Sequence, residues 1–121
     1  PHGHRHMVSS HLVVEGAFRV RNFDRLGDED GAMIVRPTRD YIARTGQLSA
    51  MTPERDNIHW FVPQGGPAMT FDVIISGIDP GEADYEIEAI DPLGGTMRPD
   101  GAIRAAKIDF EAASDKYTAA V

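Results

Sequence analysis

The chain contains no cysteine. Disulfide bridges, thiolate metal sites and cysteine nucleophiles are therefore excluded. Basic residues are scarce: 12 Lys and Arg stand against 19 Asp and Glu, for a net charge of −7 with histidine neutral. Phosphate contacts need clustered Lys and Arg, so this balance argues against nucleic-acid binding. Arg19, Arg21 and Arg25 form no long patch, and acids follow them closely. Long apolar runs are missing as well. None approaches the roughly 20 residues that cross a bilayer, and no signal peptide is visible, so no membrane partner is expected and a soluble cytoplasmic protein is the default expectation. Finally, no Gly-x-Ser-x-Gly, P-loop or dinucleotide fingerprint occurs.

What remains is ordinary in bulk and unusual in one place. At 121 residues, 41% hydrophobic and 26% charged, the chain is expected to form one domain over residues 1–121 with a single modest core. Its first residue is Pro1, not methionine. That start leaves room for natural strands before His2. A tag ending before Met7 is the competing reading, although tags usually run histidines consecutively. The unusual feature is histidine placement. Four of the five histidines, His2, His4, His6 and His11, lie in the first eleven residues, and His59 stands alone much later. Imidazole is the commonest protein ligand for transition metals. A strand repeats every two residues, so an extended segment presents His2, His4 and His6 on one face.

The periodicity predicts mostly strands. Candidate strands cover 2–15, 17–23, 32–36, 47–52, 57–62, 68–76 and 84–90, separated by turn signals. Residues 26–31 read as an acidic loop, Pro37 as a strand end, and 40–44 as one helical turn. The segment 68–76 is the strongest strand, with Met69, Phe71, Val73 and Ile75 as its expected core face and Thr70 and Asp72 opposite. Residues 96–108 carry little pattern. Residues 110–120 are rich in helix formers, and Asp109 is a suitable N-cap. Several short strands with one C-terminal helix imply an all-β antiparallel barrel or sandwich.

The histidine spacing resembles the cupin superfamily. The first cupin motif reads G-x5-H-x-H-x3,4-E-x6-G. Here His2-Gly3-His4 supplies the H-x-H, and Gly16 lies where the motif puts its glycine. The second motif, G-x5-P-x-G-x2-H-x3-N, is matched in order by Gly46, Pro53 and His59, with one extra residue in the first gap. The resemblance covers about residues 1–76. It implies a cupin-type antiparallel barrel, a jelly roll, holding one divalent metal. The glutamate ligand of the first motif is absent, since Val8 and Ser9 occupy its place. Arg55 and Pro63 stand where the second motif has its inner glycine and final Asn. The implied site is a neutral set of His2, His4 and His59. That set is similar to the thiol dioxygenase branch of the cupins, which holds Fe(II) by three histidines. Met7, Gly16, Phe23-Asp24 and Asn57-Ile58-His59 add to the likeness, but no equivalent of that branch's substrate residues is evident.

Parity ranks the remaining histidines. In an unbroken strand His6, Leu12, Val14 and Phe18 share the inner face with His2 and His4, and His11 points out. A bend after the H-x-H instead brings Ser9 or His11 inward and releases His6. The expected order as ligands is His2, His4 and His59, then His6, then His11. Asn57 and Phe61 share the face of His59 and, with Phe18, are the expected substrate-pocket wall. Trp60, of opposite parity, is expected outside the barrel or at a subunit contact.

The functional expectation is a metal-dependent cupin acting on a small molecule, with an Fe(II) dioxygenase first. A non-redox isomerase or hydrolase using Zn, Mn or Ni, and a non-catalytic ligand-binding module, are the alternatives. Exposed sheet edges lead to an expected homodimer.

Overall fold

The computed structural model describes residues 1–82 and 87–119 and is built mostly of strands. The nine strands are β1 (His2–His4), β2 (Val8–Glu15), β3 (Ala17–Glu29), β4 (Ala32–Arg44), β5 (Leu48–Met51), β6 (Ile58–Pro63), β7 (Met69–Ile75), β8 (Ile87–Met97) and β9 (Ile103–Ile108). One helix, α1 (Phe110–Ala119), follows them. Six strands close an antiparallel barrel in the order β1-β6-β3-β4-β9-β8, and the other three form a sheet in the order β5-β2-β7. The all-β architecture with a short C-terminal helix agrees with the sequence reading. The first part of the strand expected at 84–90 lies outside the described residues, and β8 begins at Ile87.

Two apolar clusters hold the strands together. Phe23, Met33, Val35, Ile58, Ile90, Ile103 and Ala105 pack inside the barrel. Val13, Phe18, Val20 and Ala43 pack between the barrel wall and the three-stranded sheet, with Tyr41, Phe61 and Ala68 against them. Strand β3 serves both. Its register with β4 shifts between Asn22 and Phe23, so Val20 and Asn22 face the sheet while Phe23 turns into the barrel. The same bulge explains why Pro37 does not end β4. Pro37 opposes Phe23 at the irregularity, where a missing N–H costs no regular ladder bond. Residues 40–44, expected as a helical turn, extend β4 as strand against their partners Ala17 to Arg21 of β3. Residues 26–29, expected as loop, belong to β3, and the turn falls at Asp30-Gly31 with Gly31 at φ 66°.

The largest departure concerns β7. Met69, Phe71, Val73 and Ile75 are exposed by 49–61%, whereas Thr70, Asp72 and Ile74 face the cavity described below. The apolar face is thus outside, because β7 is an edge strand whose inner side lines a cavity and not a packed core. Register aligns this outer face with Leu12 of β2 and Leu48 of β5.

Trp60 lies outside the barrel wall beneath α1, packed with Val62 and Tyr117. The helix is latched there by Asp91 of β8. Its carboxylate accepts from the Tyr117 hydroxyl at 2.5 Å and from Lys116 Nζ at 2.6 Å, while Leu93 N donates to Tyr117 Oη at 2.9 Å. No helix among the described residues is long and apolar enough to cross a membrane.

Candidate metal centre

Two short features bring distant histidines together. Strand β1 pairs with β6 so that His2 and His59 are register partners, and directly opposed residues share a face. His4, two residues on, shares it too. Gly3 faces the other way, where an added Cβ would sit 2.8 Å from Asn57 Oδ1 and 3.1 Å from Ile58 Cγ1. The small residue inside the H-x-H is therefore required for β1 to lie this close to β6. Asn57 closes the join by donating from Nδ2 to the His4 carbonyl at 2.7 Å.

The three imidazoles converge through Nε2. His59 Nε2 lies 3.0 Å from His2 Nε2 and 3.3 Å from His4 Nε2. The three ligand atoms fall within 4.8 Å of one another. Nitrogens bound to one ion at about 2.1 Å stand about 3.0 Å apart at right angles and about 3.4 Å apart in a tetrahedron. The two spacings to His59 fit that requirement. No carboxylate belongs to the group. Burial, then the neighbouring His4, the amino terminus and His11, lower the His2 pKa to about 3. Burial, followed by His2, His11 and His4, lowers that of His59 to about 2. His4 shifts the same way, first by burial and then by His11. At neutral pH all three rings are uncharged, and a metal binds without first displacing an imidazolium proton. His4 Nδ1 is buried with no protein partner, so this ring lacks the outer hydrogen bond that commonly orients a metal-bound histidine.

A bend separates β1 from β2. His6 adopts φ 56°, a left-handed conformation uncommon for a residue other than glycine. Its ring leaves the site and lies 3.8 Å from Glu82. The unbroken-strand parity therefore fails, and the expected ranking of His6 above His11 is corrected. After the bend the odd residues of β2 face inward, and His11 enters the site with its ring 4.9 Å from that of His59 and 5.1 Å from that of Phe61. His11 Nδ1 is 2.8 Å from Asp72 Oδ1, its register partner on β7, and its Nε2 is 3.0 Å from Ser9 Oγ. Gly16 then turns the chain at φ 74°, where a Cβ would meet the Pro67 carbonyl at 2.7 Å.

These residues line an open-sided cavity of about 300 Å³, with His2, His4, His11, His59, Ser9 and Asp72 on its wall beside Met7, Phe18, Phe61, Thr70 and Ile74. It lies between the barrel wall and the three-stranded sheet. Phe18 and Phe61 stand on its wall. Asn57 does not: it is fully buried and spends its amide on the carbonyls of His4 and Thr52. A second, smaller space of about 210 Å³ reaches His2 and His59 from beneath α1, past Phe110 and Tyr117. Phe110 stacks at a tilt 5.5 Å from the His2 ring.

Sequence reasoning missed Asp72 and Asn22. Asn22 opposes His59 across β3 and β6 and is buried, with its Oδ1 unpartnered. The available signal was polarity on a strand otherwise apolar: Asp72 in β7 and Asn22 in β3 break runs of hydrophobic and arginine residues. No protein-family model matches the chain, and no curated protein matches it.

Proposed function

We propose that the protein is a metal-binding cupin-type barrel in which His2, His4 and His59 hold one divalent transition metal. The observation that carries this reading is the convergence of three neutral imidazole Nε2 atoms, with spacings of 3.0 and 3.3 Å to His59, in a group to which no carboxylate belongs. A buried trio of imidazoles leaves lone pairs facing one another, and a shared cation relieves that arrangement. The H-x-H spacing, Gly16 and the antiparallel barrel add support.

Within that reading, a small organic molecule is the ligand. The cavity of about 300 Å³ is at the small end of the range for ligand sites, and its wall mixes Phe18, Phe61 and Met7 with Ser9, His11 and Asp72. Fe(II) is the favoured metal and dioxygenase chemistry the favoured reaction. When bound, such a metal supplies open positions for substrate and O2, and the redox chemistry between them. The chain's own residues orient the metal through three rings, supply apolar wall from Phe18 and Phe61, and offer polar contacts from β2 and β7.

The test uses tag-free protein. Loaded anaerobically with Fe(II), it is expected to bind about one ion per chain and to consume O2 when a suitable small organic substrate is added. Metal binding without O2 uptake would shift the reading to Lewis-acid chemistry with Zn, Mn or Ni, or to ligand binding without turnover. No metal binding would reject it.

The reading includes a homodimer. Strand β7 ends its sheet, and its outward Met69, Phe71, Val73 and Ile75 are exposed. A second copy laid antiparallel along β7 across a two-fold axis extends the sheet and covers that edge.

A further inference from the structure

Strand β1 carries two of the three converging histidines, yet it is only 3 residues long. It pairs with β6 where His2 meets His59, and with β8 where His2, Gly3 and His4 meet Ala89, Glu88 and Ile87. Histidine spacing does not choose this register. His2, His4 and His6 alternate, so a strand shifted by two residues would offer His4 and His6 instead. That shift would put Arg5 in the place of Gly3, where even a Cβ sits 2.8 Å from Asn57 Oδ1 and 3.1 Å from Ile58 Cγ1. Gly3 thus excludes the wrong register. What holds the right one lies on the face of β1 away from the histidines.

There Glu88, the register partner of Gly3, gathers three cations. Its Oε2 accepts from Arg25 Nη1 at 2.6 Å and from Arg5 Nε at 3.1 Å, and its Oε1 accepts from Lys107 Nζ at 3.0 Å. Asp28 accepts from Arg25 Nη2 at 2.8 Å and from Arg5 Nη2 at 3.3 Å. The Arg25 and Glu88 side chains are only 11% and 15% exposed, and a charge-assisted hydrogen bond is stronger there than at an open surface. At two-residue spacing Arg25, Glu88 and Lys107 share the strand faces of Phe23, Ile90 and Ala105, which pack inside the barrel. The cluster therefore caps one end of that core. Arg5 is the member that ties the cap to β1. It follows His4 directly and precedes His6, whose φ of 56° turns the chain away from the strand.

The structure assigns Glu88 as a positioning residue of the three-histidine site, acting through Arg5. The pair fixes the end of β1 between the barrel cap and the bend, and so holds His2 and His4 beside His59. Glu88 is no part of the cavity wall. This inference rests on the metal reading for what β1 carries, and not for how β1 is anchored.

The experiment compares zinc affinity in Glu88→Gln, Arg5→Met, the two combined, and Lys107→Met. Glu88→Gln and Arg5→Met are each expected to weaken zinc by about tenfold or more, the scale of a lost outer partner of a metal ligand. The combined variant is expected to be no weaker than either alone, because both changes break one contact. Lys107→Met takes a cation from the same carboxylate but leaves β1 alone, and is expected to keep affinity within about twofold. The visible spectrum of Co(II)-loaded protein reports coordination geometry. It is expected to change in Glu88→Gln and Arg5→Met and to stay the same in Lys107→Met. Arg5 is the more exposed partner, so Arg5→Met keeps the test decisive if Glu88→Gln does not fold.

Unchanged zinc affinity in Glu88→Gln or Arg5→Met overturns the inference, and so do additive losses in the combined variant. Equal losses in Lys107→Met and Glu88→Gln also overturn it, since the cluster would then be general support for the fold. If zinc does not bind at the three histidines, the metal reading fails by itself. Amide exchange of Gly3 and His4 in metal-free protein then decides the anchor. It is expected to quicken about tenfold in Glu88→Gln and Arg5→Met and not in Lys107→Met, and unchanged exchange overturns the role of Glu88.

Discussion

His2 and His59 are 57 residues apart in sequence and directly opposed across β1 and β6, with Nε2 atoms 3.0 Å apart. A three-residue strand is thus enough to bring the amino-terminal histidines to the middle of the fold. It also makes the site depend on the β1–β6 register, because a one-residue slip sends His2 and His4 to the opposite face.

The first prediction separates the histidines by position. His4→Ala and His59→Ala are each expected to lower metal affinity by more than the roughly 10–100-fold that loss of an outer-shell partner costs. His6→Ala is expected to leave affinity within about twofold, since its ring lies beside Glu82 and away from the cavity. Metal content after dialysis, by elemental analysis, reads both. Equal losses in all three variants would mean that the bend at His6 is misplaced.

A second prediction concerns pH. His2 and His59 have folded pKa values of about 3 and about 2 against 6.5 in the unfolded chain. Between those limits the unfolded state binds more protons, so unfolding free energy rises with pH. The contribution is complete above pH 6.5 and is lost as pH falls toward the folded values, at about 1.4 kcal/mol per pH unit for each histidine. The carboxylate Glu88 acts in a lower window. Burial alone would raise it, but hydrogen bonds from Arg25, Lys107 and Arg5 hold it at about 2 against 4.5. Urea titrations of metal-free protein from pH 6.5 down to 4.5 should therefore show falling stability, with a shallower slope in His59→Gln. A slope unchanged by that substitution would remove the buried histidines as its source.

The helix latch supplies a third. Tyr117→Phe removes the hydrogen bond to Asp91 and leaves Leu93 N without its acceptor. A loss of about 1–3 kcal/mol is expected. Amide exchange should quicken across α1 and leave the barrel strands β3 and β4 protected. Uniform quickening across all strands would show instead that α1 and the barrel unfold as one unit.

A fourth addresses assembly. Wild-type protein is expected to scatter light as a dimer, and Phe71→Asp with Val73→Asp is expected to give a monomer with an unchanged far-ultraviolet spectrum. Both side chains are exposed on the outer face of β7, so the charges meet water in the single chain and meet each other in the pair. A monomeric wild type would reject the homodimer.

Much of the fold is legible locally. Alternation in 17–23 and 57–62, the turn at Gly16 and the helix formers after Asp109 all depend on neighbours in sequence, and each element forms close to where that pattern places it. Pro37 and residues 40–44 were misread because the β3–β4 register, with its bulge at Asn22 and Phe23, overrides local propensity. The alternation of β7 was read correctly, but its sides were reversed. Hydrophobicity marks two faces of a strand without saying which one the rest of the chain covers.

The sequence by itself determined the chemistry on offer: histidines without cysteine, an H-x-H with no acid at Val8 or Ser9, and strands in place of helices. Only the tertiary structure decided which side chains meet. The φ of 56° at His6 flips the inward parity of everything after it, and so exchanges His6 for His11. Strand pairing then sets His11 opposite Asp72 and His2 opposite His59. A period of two residues leaves each strand with two equivalent sides, and long-range pairing alone distinguishes them.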